Sequence, residues 1–177
     1  MKLKIKVKEI VEGCFPVVNE NGDWFDLKSA QDCYFPAPQA GVQYSKENIK
    51  YRDVTLKTHL ISLGIAMELP KGFEAIIAPR SSTAKKFKII QANNIGIVDF
   101  SFRGDNDVWK FPAIPIEKTT IKTGDRICQF RIQLSQKATF WQKLKWLFSS
   151  GVEFVKVDSL NNKDRKGFGE GTKHLDK

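Results

Sequence analysis

The chain opens on strict alternation. In Met1-Lys2-Leu3-Lys4-Ile5-Lys6-Val7-Lys8 a lysine follows every apolar residue. Side chains on a strand change face at each residue, so this run predicts a strand with Leu3, Ile5 and Val7 turned inward. The same charges rule out a secretion signal, which needs an unbroken apolar stretch. Shorter runs of this kind recur. Val54, Leu56, Leu60 and Ile65 are spaced by polar or small residues, Leu69-Pro70-Lys71-Gly72-Phe73 makes a turn, and Glu74 to Ala78 enters another strand. Many short alternating strands with frequent turns point to an all-β domain.

Two apolar runs flank Asn93-Asn94. One passes through Phe87, Ile89 and Ile90, the other through Ile95, Ile97 and Val98. Asparagine tolerates the left-handed backbone of tight turns, so the stretch predicts a hairpin. Asp99 follows as a lone carboxylate, and Arg103-Gly104-Asp105 turns the chain again. A hairpin with amides at its tip and one acid at its end suits a small planar polar ligand. Taken alone, the stretch reads more simply as a surface hairpin whose Asp99 caps a turn.

Two other stretches bear on that choice. Pro79 should end a strand, and Ser81-Ser82-Thr83 offers hydroxyl caps for a short helix through Ala84-Lys85-Lys86. With Arg80 beside it, that helix start is a phosphate cradle in one reading and a capped surface helix in the other. In the run Ile127 to Leu134, Gln129 is polar among apolar residues and needs partners, from a ligand or from a neighbouring subunit. Residues 28–50, with Pro36, Pro38 and Gly41, read as a loop or extended insert. Phe140, Trp141, Leu144, Leu147 and Phe148 recur at helical spacing, which predicts an amphipathic helix near 139–149 that packs on its own domain.

The 177 residues suit one domain with a real core. The net charge of +9 allows a nucleic acid, a membrane surface or an anionic small substrate. Its lysines are scattered, without the dense basic block of a nucleic-acid module, and no apolar run nears the ~20 residues of a membrane span. Cys14, Cys33 and Cys128 show no metal or disulfide spacing, and His59 and His174 match no zinc pattern. A reduced, cytoplasmic setting follows, with neither nucleic acid nor membrane as partner.

In order, Pro79-Arg80-Ser81, the stretch ending Gly96-Ile97-Val98-Asp99-Phe100-Ser101-Phe102-Arg103-Gly104, Gly124-Asp125-Arg126-Ile127-Cys128-Gln129 and Arg165-Lys166-Gly167-Phe168-Gly169 resemble the motifs P-R-S, G-x-I-D-x-x-Y-x-G, G-D-R-I-x-Q and R-x-x-x-G-F-G. These are the motifs of the trimeric dUTPases. The resemblance runs from about residue 24 to 172 and includes Asp26-Leu27, the end of the family's first motif.

The resemblance implies a jelly-roll-like β-barrel over residues 1–160 and a mobile glycine-rich closing arm over 161–177. It implies hydrolysis of dUTP to dUMP and pyrophosphate with Mg2+, in a homotrimer whose active sites are shared between subunits. Asp99 matches the acid that orients the attacking water at the α-phosphorus. Asn93 matches the residue on the uracil edge, with the backbone of Gly96 and Val98 beside it. Arg80, Ser81, Ser82 and Gln129 match phosphate-contacting positions, Arg165 the arginine at the γ-phosphate, and Phe168 the ring over uracil. Asp26 matches an acid beside the metal's water shell, with no direct metal ligand in the chain. Phe102 replaces the tyrosine that lies on deoxyribose, and Glu170-Gly171-Thr172 replaces S-T-G. Two alternatives share the fold. One is a dCTP deaminase, whose glutamate would fall where Trp109 and Lys110 stand; the other is a non-catalytic nucleotide-binding regulator.

Overall fold

The computed structural model of the chain describes residues 2–19 and 22–167. The alternating opening forms β1 (Leu3–Glu9), with Leu3, Ile5 and Val7 buried as its pattern requires. Next come β2 (Phe25–Lys28), β3 (Cys33–Phe35), β4 (Gln39–Tyr44), β5 (Lys50–Thr55), β6 (His59–Ser62), β7 (Ile65–Glu68) and β8 (Phe73–Pro79). Helix α1 (Thr83–Phe87) precedes β9 (Ile89–Gln91), β10 (Gly96–Asp99), β11 (Lys110–Pro115), β12 (Thr119–Ile121) and β13 (Arg126–Leu134). Helix α2 (Phe140–Leu147) and β14 (Val152–Lys156) complete the described elements. The architecture is mostly β and jelly-roll-like.

The sheets wrap one apolar core. A four-stranded sheet runs β10-β8-β13-β2, and three-stranded sheets run β14-β1-β7 and β6-β11-β9. Trp109, Phe111, Phe130 and Phe73 are fully buried between them. Phe25, Phe130 and Phe154 meet with ring centroids 4.7–5.8 Å apart, tying β2, β13 and β14 together. Fully burying each such side chain stabilises the fold by roughly 1.5–3 kcal/mol. No described helix is long and apolar enough to cross a membrane.

Four expectations change. The stretch around Asn93-Asn94 is not a hydrogen-bonded hairpin: β9 pairs with β11, whereas β10 pairs with β8. The turn between them carries the chain from one sheet to another, and Asn94 takes the left-handed φ of 57°. Phe87 closes α1 rather than starting a strand, and Lys88 at φ 54° separates the two elements. Residues 28–50 are more regular than a loop. β3 pairs with β12, and β4 with β5 in a two-stranded ribbon.

The fourth change concerns α2. Phe140, Trp141, Leu147 and Phe148 share a face that points away from the body, with Trp141 76% exposed. The opposite side docks. Trp146 sits 5.5 Å from Phe73, ring to ring. Gln142 completes a capping box with Thr139, and its amide lies over Gly72, where any Cβ would collide with it. Strand contact with the helix is therefore set by one tryptophan and one glutamine, not by the apolar stripe.

Candidate active site

At the Pro79 end of the four-stranded sheet, Asp26 on β2 lies opposite Gln129 on β13, and Gln129 lies opposite Ala78 on β8. The Asp26 carboxylate is 2% exposed and is fully engaged. It accepts from Arg80 Nε at 2.8 Å and from Arg126 Nη1 at 3.1 Å. Arg80 is held at its backbone too. Its N–H donates to Thr83 Oγ1 at 2.9 Å, and the Thr83 hydroxyl donates to the Ile127 carbonyl at 2.8 Å. Gln129 Nε2 donates to the Pro79 carbonyl at 3.2 Å. One buried carboxylate thus orients two partly exposed guanidinium groups, and the surplus positive charge faces out. That is a phosphate-binding chemistry.

The helix cap differs from the sequence expectation. Ser82 is the N-cap of α1 but makes no side-chain cap bond, and Ser81 is exposed. Thr83, inside the helix, does the anchoring. The two serine hydroxyls lie beside Arg80 without a capping duty. Arg126 was overlooked as a site residue, although the Gly124-Asp125-Arg126-Ile127 motif contains it.

Asp99 ends β10 opposite Glu74, at the other end of β8. Its carboxylate accepts from Ser101 N at 2.8 Å and Ser101 Oγ at 2.5 Å. Arg165 Nη1 donates to both of its oxygens, at 3.0 and 2.9 Å. Partial burial works to raise the Asp99 carboxyl, but the Ser101 hydrogen bonds and the Arg165 charge outweigh it and hold it below the usual carboxylate range. At neutral pH Asp99 is an anion with about half of its surface open.

Arg165 reaches Asp99 because three aspartates fix the chain that carries it. Asp105 accepts from Leu160 N, Asn161 N and Ser159 Oγ, and pairs with Lys8 at 3.0 Å. Asp107 is 1% exposed and accepts from Gly104 N at 2.7 Å, Arg165 N at 2.9 Å and Lys166 N at 3.0 Å. Asp164 reaches back to Asn106 N and Nδ2, at 2.9 and 2.7 Å. Gly104 and Gly167 permit this closeness, since a Cβ on Gly104 would strike Asp164 and one on Gly167 would lie 2.8 Å from Phe102. Sequence reasoning missed these aspartates. Asp105 read as part of the Arg103-Gly104-Asp105 turn, and nothing local tied it or Asp107 to residues some 55 positions later.

Asn93 is exposed on the turn before β10, and its Oδ1 accepts from Gln91 Nε2 at 3.0 Å. Gly96 lies against Ile77 and Gln91, with room for only a tight Cβ. Val98 packs on the core, which leaves only its backbone to a ligand. Phe102 is 9% exposed and lies under Gly167. Phe168, expected to cover the base, lies outside the described residues.

The structure thus brings Asp26, Arg80, Ser81, Ser82 and Gln129 together at one sheet end, with Arg126 added. It groups Asp99, Phe102 and Arg165 at the other. Because Asp99 pairs with Glu74 and Arg80 follows Pro79, strand rise separates the two clusters within one chain by about 20 Å. Among the described residues no group of three or more His, Cys, Asp or Glu side chains could hold a metal ion. The Asp26 carboxylate is already taken by two arginines.

Fold and site together define an all-β protein with two arginines braced on one buried carboxylate and a separate, anionic carboxylate, a set of groups suited to hydrolysis of a phosphate anhydride. The comparisons give the family. The dUTPase family model matches residues 44–143. The SPbeta prophage-derived deoxyuridine 5'-triphosphate nucleotidohydrolase of Bacillus subtilis (strain 168) is 42% identical over 173 residues, 97% of this chain and 100% of that protein. The deoxyuridine 5'-triphosphate nucleotidohydrolase of Finegoldia magna is 35% identical over 124 residues, 67% of this chain and 75% of its own. The crystal structure of dUTPase from Streptococcus mutans superposes with TM-score 0.57 at 16% identity, over 72% of this chain and 91% of that one. A mutant dUTPase of phage phi11 of S. aureus, described with a structural Mg(II) ion, gives TM-score 0.55 at 14% identity, over 77% of this chain and 94% of that one. The chain belongs to the dUTPase family.

Proposed function

We propose that the chain hydrolyses dUTP to dUMP and pyrophosphate, with Asp99 orienting the water that attacks the α-phosphorus. The observation that carries this reading is Asp99 itself, anionic, open to solvent and flanked by Arg165. A fixed carboxylate can hold a water by one hydrogen and take up its proton as the phosphorus–oxygen bond forms. Arg80 and Arg126, braced by Asp26, meet the phosphate charge, with Ser81, Ser82 and Gln129 beside them. Most of the catalysis in such a reaction is positioning and charge stabilisation.

Magnesium enters in this reading as Mg–dUTP, neutralising phosphate charge, because the ion is content with phosphate oxygens and waters. Asp26 braces arginines and is too enclosed for the metal's water shell. Residues 161–177 act as an arm that closes over the barrel of 1–160. The separation of the Arg80 and Asp99 clusters supports a homotrimer in which one copy supplies each half of a site. Ile90 on β9, Ile95 on the turn and Ile97 on β10 are exposed, as an interface would require. The buried free thiols of Cys14, Cys33 and Cys128 suit a reduced cytoplasm.

A deaminase is disfavoured because Trp109, at the place of its glutamate, is fully buried. Incubation with dUTP and with dCTP, with products separated by chromatography, tests the proposal. Release of dUMP and pyrophosphate from dUTP is expected. Formation of dUTP from dCTP, or no turnover of either, would overturn it.

A further inference from the structure

Gln91 is a buried glutamine that the reaction as derived does not use. It lies at the end of β9, 7% exposed. Its Nε2 donates to the backbone carbonyl of Ile77 at 3.3 Å and to Asn93 Oδ1 at 3.0 Å. Its Oε1 is buried with no hydrogen-bond partner among the described residues. A carboxamide in such a place could in principle face either way, so what decides its orientation matters.

The Ile77 carbonyl decides it. A backbone carbonyl only accepts, so the side of Gln91 that meets it must be the NH2. Turned over, the amide would press its oxygen against that carbonyl, two acceptors face to face. The same NH2 then faces Asn93, so Asn93 must answer with its oxygen. The Asn93 NH2 is thereby left on the opposite side, toward solvent, at the turn. Gly96 makes room for the chain of contacts, since a Cβ there would lie 3.3 Å from Ile77 Cβ and 3.5 Å from Gln91 Nε2.

We propose that Gln91 is a specificity-determining positioning residue, which locks Asn93 as an outward hydrogen-bond donor and so selects uracil over cytosine. Uracil offers the O4 acceptor at the place where cytosine carries an amino donor. A locked donor pairs with the first and opposes the second. An unlocked asparagine could rotate its amide and accept from cytosine. The unpaired Gln91 oxygen is the cost of a fixed orientation. This inference rests on the reading that Asn93 faces the base.

The test compares kcat/KM for dUTP and for dCTP, each followed by pyrophosphate release, in the wild type, Gln91→Leu, Gln91→Met and Asn93→Ala. Gln91→Leu and Gln91→Met should narrow the dUTP-to-dCTP ratio by about tenfold, through KM for dUTP more than kcat. A merely structural role would lower both substrates alike and leave the ratio in place. Either variant suffices should the other fail to fold. If Asn93→Ala narrows the ratio while both folded Gln91 variants keep it, the positioning role is wrong and the base-facing reading of Asn93 survives. If Asn93→Ala leaves the ratio unchanged, that reading fails, and this inference fails with it.

Discussion

Replacing Asp107 by Asn tests how the C-terminal segment is held. Asp107 is 1% exposed and takes two backbone N–H groups from the segment, those of Arg165 and Lys166, besides Gly104 N in its own turn. Hydrogen bonds to a charged group contribute about 1.5–3 kcal/mol each, so the two that cross to the segment are together worth about 3–6 kcal/mol. Asparagine keeps one acceptor oxygen, and the freed N–H groups regain water, so about half of that is lost. A loss of about 1.5–3 kcal/mol shifts the docking equilibrium by about 10- to 150-fold. Limited proteolysis after residue 157 reads docking directly, and turnover of dUTP reads its consequence through Arg165. Faster cleavage with a parallel fall in kcat is expected, and the melting temperature should move by only a few degrees. Unchanged cleavage and turnover in Asp107→Asn would refute the clamp.

Three further outcomes follow from the geometry. Asp99→Asn should lower kcat for dUTP by about 10²–10⁴-fold, while calorimetry shows a non-hydrolysable dUTP analogue still binding. Asp105 is held at about 2, below its ordinary 3.8, by the Leu160 N–H, Lys8 and Ser159. Its folded value is depressed, so its hold on residues 159–161 is complete above pH ~4 and fades as the pH falls toward 2; the protection of the Leu160 amide, its exchange rate relative to that of an unfolded chain at the same pH, should fall across that window and stay flat above it. Trp146→Ala should lower the melting temperature by about 4–10 °C, because it removes the contact with Phe73, whereas Trp141→Ala at an exposed position should change it by about 2 °C or less.

The alternation of Leu3, Ile5 and Val7 was enough to place β1, because a period of two leaves one way to bury three apolar residues. Asn94 was equally legible, since few other residues tolerate its left-handed backbone. Partnering was not. The runs on either side of Asn93-Asn94 look like a hairpin, and only the competition of β8 and β11 for their edges sends them to different sheets. The α2 stripe misled for a related reason. Its apolar face was plain, but which face docks was decided by Gly72 and Phe73, far away in sequence. In the site, Asp99, Arg80 and Gln129 could be read from motifs. Asp107 and Gln91 act through partners distant in the chain or through carbonyls, and local pattern carries no mark of either.

The most direct test of the account mixes two inactive variants. Asp99→Asn disables one end of the sheet and Arg80→Ala the other, and the proposed trimer joins the Asp99 end of one copy to the Arg80 end of the next. The two variants, each of low activity alone, are unfolded together in equal amounts, refolded and assayed for pyrophosphate release from dUTP. Random assembly leaves about a quarter of the sites with both ends intact, so activity should return to about that share of wild type. Mixtures that stay as inactive as either variant, while ion-exchange chromatography, which separates the two by charge, shows that mixed assemblies have formed, would contradict a site shared between copies.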